Sequence, residues 1–223
     1  MTRRLFIQVM SKYLLGVVLV GSLLFVPAGT FCFWQAWLFI LVLFVPMLFT
    51  GIVLMLRNPA LLRRRLDAKE KEGEQKTVVV LGAMIFVAMF VTAGLNFRYR
   101  WWILPDSMVI VAALLFLMGY AMYAEVMREN IWLSRTIEVQ DRQQVVDTGL
   151  YGVVRHPMYS ATLILFLSAP VILASAWSFF IMLLYVPIIV MRLKNEESVL
   201  EKQLIGYREY KHRVRWRLIP WIW

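Results

Sequence analysis

The sequence predicts an all-α integral membrane protein with about six transmembrane helices, the last two forming a hairpin, followed by a cytoplasmic amphipathic helix. Two observations lead there. The 223 residues are 61% hydrophobic with a mean hydropathy of +0.68, well above the apolar share of soluble domains. Several uncharged runs also reach or approach the roughly 20 helical residues needed to cross a hydrocarbon core of about 30 Å.

Four spans come first, at about Tyr13–Gly29, Trp34–Leu56, Thr77–Leu95 and Met108–Val126, the last uncharged up to Glu125. The first lacks an A-x-A-like end and leads straight into the second, so it reads as a retained helix and not a cleaved signal peptide. From Met158 to Met191 there is no charged residue. As one helix at about 1.5 Å per residue this stretch would be roughly 50 Å long, too much for one crossing. It therefore folds back, and "SAPVILASAW" (Ser168–Trp177) supplies Pro170 and small residues for the turn. No repeat or composition break divides the chain. Residues 1–223 form a single membrane domain, in which 1–126 hold four spans with a basic cytoplasmic loop at 57–76. Residues 127–223 hold a polar loop, the hairpin and the C-terminal helix.

Charge placement orients these elements. The formal net charge is +10. With the amino terminus in the cytoplasm, six crossings put every basic residue except Arg98 and Arg100 on the inner side, as the positive-inside rule requires. Five crossings would send the basic tail to the wrong side. Both termini are thus expected to be cytoplasmic, with membrane lipids as partners. "RNPALLRRRLDAKEKEGEQK" (Arg57–Lys76) lies against anionic lipid, and "NPALLRRRL" suits a short interfacial helix. Nucleic acid is not an expected partner, because the basic residues flank spans and no recognition module is present. The lone Cys32 excludes an internal disulfide and reads as a packing residue near the outer surface. Two histidines far apart argue against a metal centre.

Chemistry is expected at the cytoplasmic ends of the last three spans, where Glu125–His156 and Arg192–Arg217 are dense in polar groups. The first block contains the alternating "TIEVQ" and the turn-like "DTGLYG". Pro157 suits the first turn of a helix, which puts His156 at the helix mouth beside free amide donors, a setting that suits an anionic group. In the second block Arg192 and Glu196 stack at i, i+4, Glu197 points about 100° further round, and Tyr207 and Tyr210 follow. An exposed helix whose Arg and Glu merely pair is the plainer reading. The hairpin, however, brings these carboxylates and His156 to one mouth. Tyr151, Tyr159, Tyr207 and Tyr210 could be interfacial anchors instead of ligand contacts, and Trp216, Trp221 and Trp223 read as a membrane-surface belt. Glu125, Arg128, Glu129 and Asn130 either border the cleft or solvate a helix end.

"GLYGVVRHPMYSA", followed after one hairpin by "RLKNEESVLEKQLIGYREYKHRVRWRLIP", resembles the carboxy-terminal signature of isoprenylcysteine carboxyl methyltransferases and their prokaryotic relatives. Related phospholipid methyltransferases share the RHP-hairpin-EE arrangement. The resemblance covers about Asn130–Pro220, with "RNPALLRRRL" similar to a loop of bacterial members. It implies a membrane enzyme using S-adenosylmethionine, with Tyr151, His156, Pro157, Tyr159, Glu196 and Glu197 lining the cofactor cleft. Arg192 and Glu196 would be the catalytic pair, with Arg192 facing the acceptor and able to hold its carboxylate. It also implies a lipophilic or lipidated substrate reaching the site from the bilayer, and a bacterial plasma membrane as the location.

That residue set suits methyl transfer, an in-line displacement in which a protein chiefly aligns the partners and excludes water. A carboxylate acceptor needs no general base, whereas an amine acceptor would make His156 or a glutamate a candidate base. Two other classes compete: a membrane lipid reductase with a nicotinamide cofactor, and a non-enzymatic scaffold or transporter. Against a transporter, the spans carry almost no ionisable residue near their midpoints.

Overall fold

The computed structural model describes residues 3–57, 59, 62, 73–133 and 139–223. Among them the regular secondary structure is helical apart from one antiparallel bridge, Ile103 with Ser175. The helices are α1 (Arg3–Ala28), α2 (Trp34–Arg57), α3 (Gly73–Tyr99), α4 (Asp106–Glu129), α5 (Pro157–Ile172), α6 (Ala176–Leu183), α7 (Tyr185–Gln203) and α8 (Tyr207–Arg213), with a 3₁₀ turn at Gly149–Gly152 before α5. Most of "NPALLRRRL", where an interfacial helix is expected, and most of "TIEVQ" lie outside the described residues.

Five helical stretches among the described residues are long and apolar enough to cross a membrane: Phe6–Ala28, Trp34–Arg57, Val78–Tyr99, Asp106–Glu129 and Ala176–Gln203. Their outward faces are apolar too. Leu15, Val26, Phe49, Leu56 and Leu114 are each more than 60% exposed. Helices that are hydrophobic all round make physical sense with lipid, and not water, on the outside.

The end of the chain folds as the expected hairpin, with two refinements. α5 has only 16 residues, about 24 Å at 1.5 Å per residue, and is an apolar helix shorter than the five stretches above. Pro170 stays inside α5, and the reversal comes at Ala174, whose φ is +53°. The turn is tied down at once: Leu104 N–H donates to Ala174 O (3.0 Å), and Ala176 N–H donates to Trp102 O (3.3 Å). Ser175 caps α6 by accepting from Ser178 N–H, and Ser178 Oγ donates to Met89 O of α3. On the return, α6 passes into α7 across Leu184. Pro187, three residues further on, has no N–H to continue the ladder.

α4 packs along α5, α1 against α3, and α3 against α6. Leu24, Phe33, Phe39, Met89, Phe90, Phe116, Ile172, Leu173 and Met182 fill the space between them. Asp106 in the first turn of α4 and Arg128 in its last turn complement the helix dipole, and Glu129 at the last position opposes it. Cys32 is exposed in the α1–α2 loop, a correction to its expected packed position, because Phe33 beside it takes the buried place.

Close approach of α1 and α3 depends on Gly94, where a Cβ would stand 2.6 Å from Leu24 O and 3.0 Å from Pro27 Cβ. Gly94→Ala is expected to destabilise the protein by about 1–3 kcal/mol through overpacking. Gly51→Ala meets nothing within 4 Å and should stay within about 1 kcal/mol of the native chain. Thermal unfolding of both variants in detergent checks the contrast.

Candidate functional site

The polar end of the hairpin encloses a cavity of about 390 Å³, a size that takes a small ligand. α4 contributes Tyr123, with Asn130 just beyond its end; α5 contributes Met158, Tyr159, Thr162 and Phe166; α7 contributes Tyr185, Ile189, Arg192 and Glu196; α8 contributes Tyr207 and Tyr210. Residues 143–146 line it between α4 and α5.

Local sequence explains how these side chains arrive. Gly149 has φ +52°, and a Cβ there would collide with the Glu129 carboxylate. With no Cβ in the way, Leu150 N–H donates to Glu129 Oε2 (3.2 Å), which holds the 3₁₀ turn against the end of α4. Asn130 Nδ2 donates to the Tyr151 hydroxyl (2.8 Å), and the Tyr210 hydroxyl donates to Tyr151 O (2.8 Å). Glu125 and Arg128 pair with each other on the exposed side. Of the four polar residues ending α4, Glu129 and Asn130 thus build the site while the other two solvate the helix end.

His156 caps α5 and Pro157 is its first residue, as the tripeptide suggests. The amides of Arg155 and His156, just before the helix, are engaged by the C-terminal segment. Arg155 N–H donates to Trp216 O (2.8 Å) and His156 N–H to Arg217 O (3.0 Å), so the C-terminal segment lies along the RHP residues like an added strand. Ser160 Oγ donates to Leu218 O (2.6 Å). Backbone N–H groups of Arg217, Leu218 and Ile219 all donate to Trp223 O, and the Arg217 guanidinium stands over the Trp223 ring at 5.2 Å. Trp221 is largely exposed, as a surface belt residue would be, but Trp216 and Trp223 hold the tail in place.

The two adjacent glutamates point to different surroundings. Glu197 is 4% exposed and lies beneath the cavity. Its Oε1 accepts from Arg155 Nε (2.8 Å) and lies 3.3 Å from His156 Nε2, while Oε2 accepts from Arg217 Nε (3.1 Å). Arg155 is buried as well, and its Nη1 donates to Val214 O and Arg215 O. A buried carboxylate with this many donors has its desolvation offset by charge-assisted bonds. Glu196 faces the cavity, where Oε2 accepts from the Tyr159 hydroxyl (2.6 Å), and that hydroxyl also meets the Arg192 guanidinium.

Of the residues expected to line a cofactor cleft, Tyr151, His156, Tyr159 and Glu196 line the cavity, with Arg192 beside them. Pro157 is fully buried as the first turn of α5, and Glu197 is engaged by the protein's own cations. Sequence reasoning missed Arg155, Arg217 and the inward orientation of α8. Tyr207 and Tyr210 are 4% and 2% exposed and are not surface anchors. The spacing Tyr207, Tyr210, Val214, with charged residues between, is the signal that would have turned this face inward.

Residues 107–205 match the family described as phospholipid methyltransferase. The match bears out the resemblance carried by the RHP and EE motifs and supports a membrane methyltransferase. The Delta(14)-sterol reductase of Mus musculus is 33% identical over 91 residues, which are 40% of this chain and 22% of that protein. The chain thus spans about a fifth of the length of this relative.

Two outcomes follow from the geometry. Glu197→Gln leaves Arg155, His156 and Arg217 around a neutral amide and should cost on the order of 3 kcal/mol. Glu196→Gln can still accept from Tyr159 and should cost under about 1 kcal/mol; unfolding of the two variants side by side measures the difference. Burial, aided for Tyr207 by the charges of Glu197 and Glu196, raises both α8 hydroxyls above the ordinary tyrosine value of about 10. The folded state keeps these protons where the unfolded chain releases them. Their contribution is therefore complete below about pH 10 and falls as the pH rises further. In Tyr207→Phe/Tyr210→Phe the alkaline decline in melting temperature should be shallower.

Proposed function

We propose that the protein is a membrane methyltransferase that uses S-adenosylmethionine to methylate a lipophilic acceptor, most suitably a carboxylate such as that of a prenylated cysteine or an analogue. One observation carries this reading: the family match runs from α4 to the end of α7 and takes in the residues around the cavity from Tyr123 to Leu204. The donor set fits the cofactor. Glu196 and the tyrosine rings suit its ammonium and sulfonium, and the buried Tyr207 hydroxyl has no partner among the described residues.

When bound, S-adenosylmethionine supplies an electrophilic methyl group, whose bond to sulfur breaks with the electron pair leaving on sulfur as a bond to the acceptor oxygen forms. The residues of this chain align and shield. Glu196, held by Tyr159, presents a fixed negative charge to the cationic end of the ligand. Arg192, on the same helix face and in contact with Tyr159, orients an acceptor carboxylate through its planar fork of donors. A carboxylate acceptor arrives already ionised, so no side chain has to take up a proton. Val79, Phe166, Tyr185 and Ile189 form the apolar end of the cavity, where a lipid tail can lie after entering from the bilayer. In this reading the site opens towards the cytoplasm of a bacterial cell, the side on which the basic residues gather.

The mouse relative favours a second reading, a membrane reductase with a nicotinamide cofactor. Titration into the protein in nanodiscs separates the two. S-adenosylmethionine and S-adenosylhomocysteine should bind saturably, and Glu196→Gln should weaken S-adenosylmethionine binding about tenfold through loss of a charge-assisted contact. Binding of a phosphorylated nicotinamide dinucleotide in their place would favour the reductase. Binding of neither class would leave the non-enzymatic scaffold.

A further inference from the structure

Three tyrosines at the polar end of the cavity have protein partners for their hydroxyls. Tyr151 accepts from Asn130, Tyr159 donates to Glu196, and Tyr210 donates to Tyr151 O. Tyr207, one turn before Tyr210, is equally buried and lines the same cavity, yet its hydroxyl has no hydrogen-bond partner among the described residues. An orphaned buried hydroxyl costs about 1–3 kcal/mol. A tyrosine is therefore an expensive choice at a position where phenylalanine would pack as well, unless a ligand completes it.

The surroundings restrict what that ligand atom can be. Burial, and then the charges of Glu197 and Glu196, which Arg155 offsets only in part, keep the hydroxyl protonated, so it is a neutral donor. An anionic acceptor placed there would meet the same net negative surroundings. In S-adenosylmethionine the amino-acid half offers only a carboxylate as a strong acceptor, and the ammonium and sulfonium offer none. Neutral acceptors, the ribose hydroxyls and the ring nitrogens of adenine, all belong to the nucleoside half.

We infer that the Tyr207 hydroxyl is a recognition group for the nucleoside of the cofactor, donating a hydrogen bond to a ribose or adenine acceptor. The inference rests on the methyltransferase reading and extends it to a residue outside the RHP and EE motifs. α8 is thereby a wall of the binding site, held in place by the Tyr210–Tyr151 bond and by the ion pairs Arg213–Asp147 and Lys211–Glu201.

Tyr207→Phe in the full chain, in nanodiscs, tests it with readouts that move in opposite directions. Without ligand, the variant should melt at the native temperature or above, because an unsatisfied polar atom has been removed. Its affinity for S-adenosylhomocysteine and for 5′-methylthioadenosine, which keeps the nucleoside and lacks the amino acid, should fall about three- to tenfold by the same factor. Unchanged affinity for both ligands would overturn the inference, whatever the melting temperature. Weakened binding of S-adenosylhomocysteine alone would also overturn it, by moving the contact to the amino-acid half. If the native protein bound neither ligand, the methyltransferase reading would fail and take this inference with it, an outcome distinct from unchanged affinity in the variant.

Discussion

The polar end of the bundle depends on the carboxylate of Glu197. Three elements far apart in sequence meet on it: the RHP segment through Arg155 and His156, α7 through Glu197 itself, and the C-terminal tail through Arg217. In a low-dielectric interior, loss of this carboxylate would leave the Arg155 cation buried without its counter-charge. The tail then closes the set from outside, covering the backbone amides of Arg155 and His156 and carrying Trp223 beneath the Arg217 guanidinium.

This division of labour explains why two neighbouring glutamates on one helix serve different ends. A turn of about 100° per residue sends Glu197 down among the protein's cations and Glu196 into the cavity beside Tyr159 and Arg192. Charge that builds the framework is thereby separated from charge that meets the ligand. α8 completes the enclosure by placing two tyrosines on the open side, of which Tyr210 has a hydroxyl partner and Tyr207 has none among the described residues.

Much of the fold was legible because hydrophobic run length and charge placement obey membrane physics directly. The four spans before Val126 and the hairpin after Pro157 follow from where charges stop and start. The position of the reversal did not follow from Pro170, since a proline can remain in a helix near its end; the turn is set by Ala174 and by pairing with Trp102 and Leu104, contacts about 70 residues apart in sequence. In the site, Tyr159, His156, Glu196 and Arg192 were legible from two motifs joined by a hairpin. The roles of Arg155 and Arg217 were not, because a basic residue near a membrane surface looks the same in sequence whether it faces lipid or a buried carboxylate. The bonds from the amides of Arg155 and His156 to the carbonyls of residues 216 and 217 have no local signature.

In the proposed site Glu197 is the frame, and Glu196, Tyr159 and Tyr207 face the ligand; this arrangement can be checked in one step. It is tested most directly by an experimental structure of the protein with S-adenosylhomocysteine bound. The ligand is expected in the cavity between α5, α7 and α8, its nucleoside against Tyr207, with Glu197 still bonded to Arg155 and Arg217. A ligand bonded to Glu197 with those arginines displaced, or one bound outside this cavity, would contradict it.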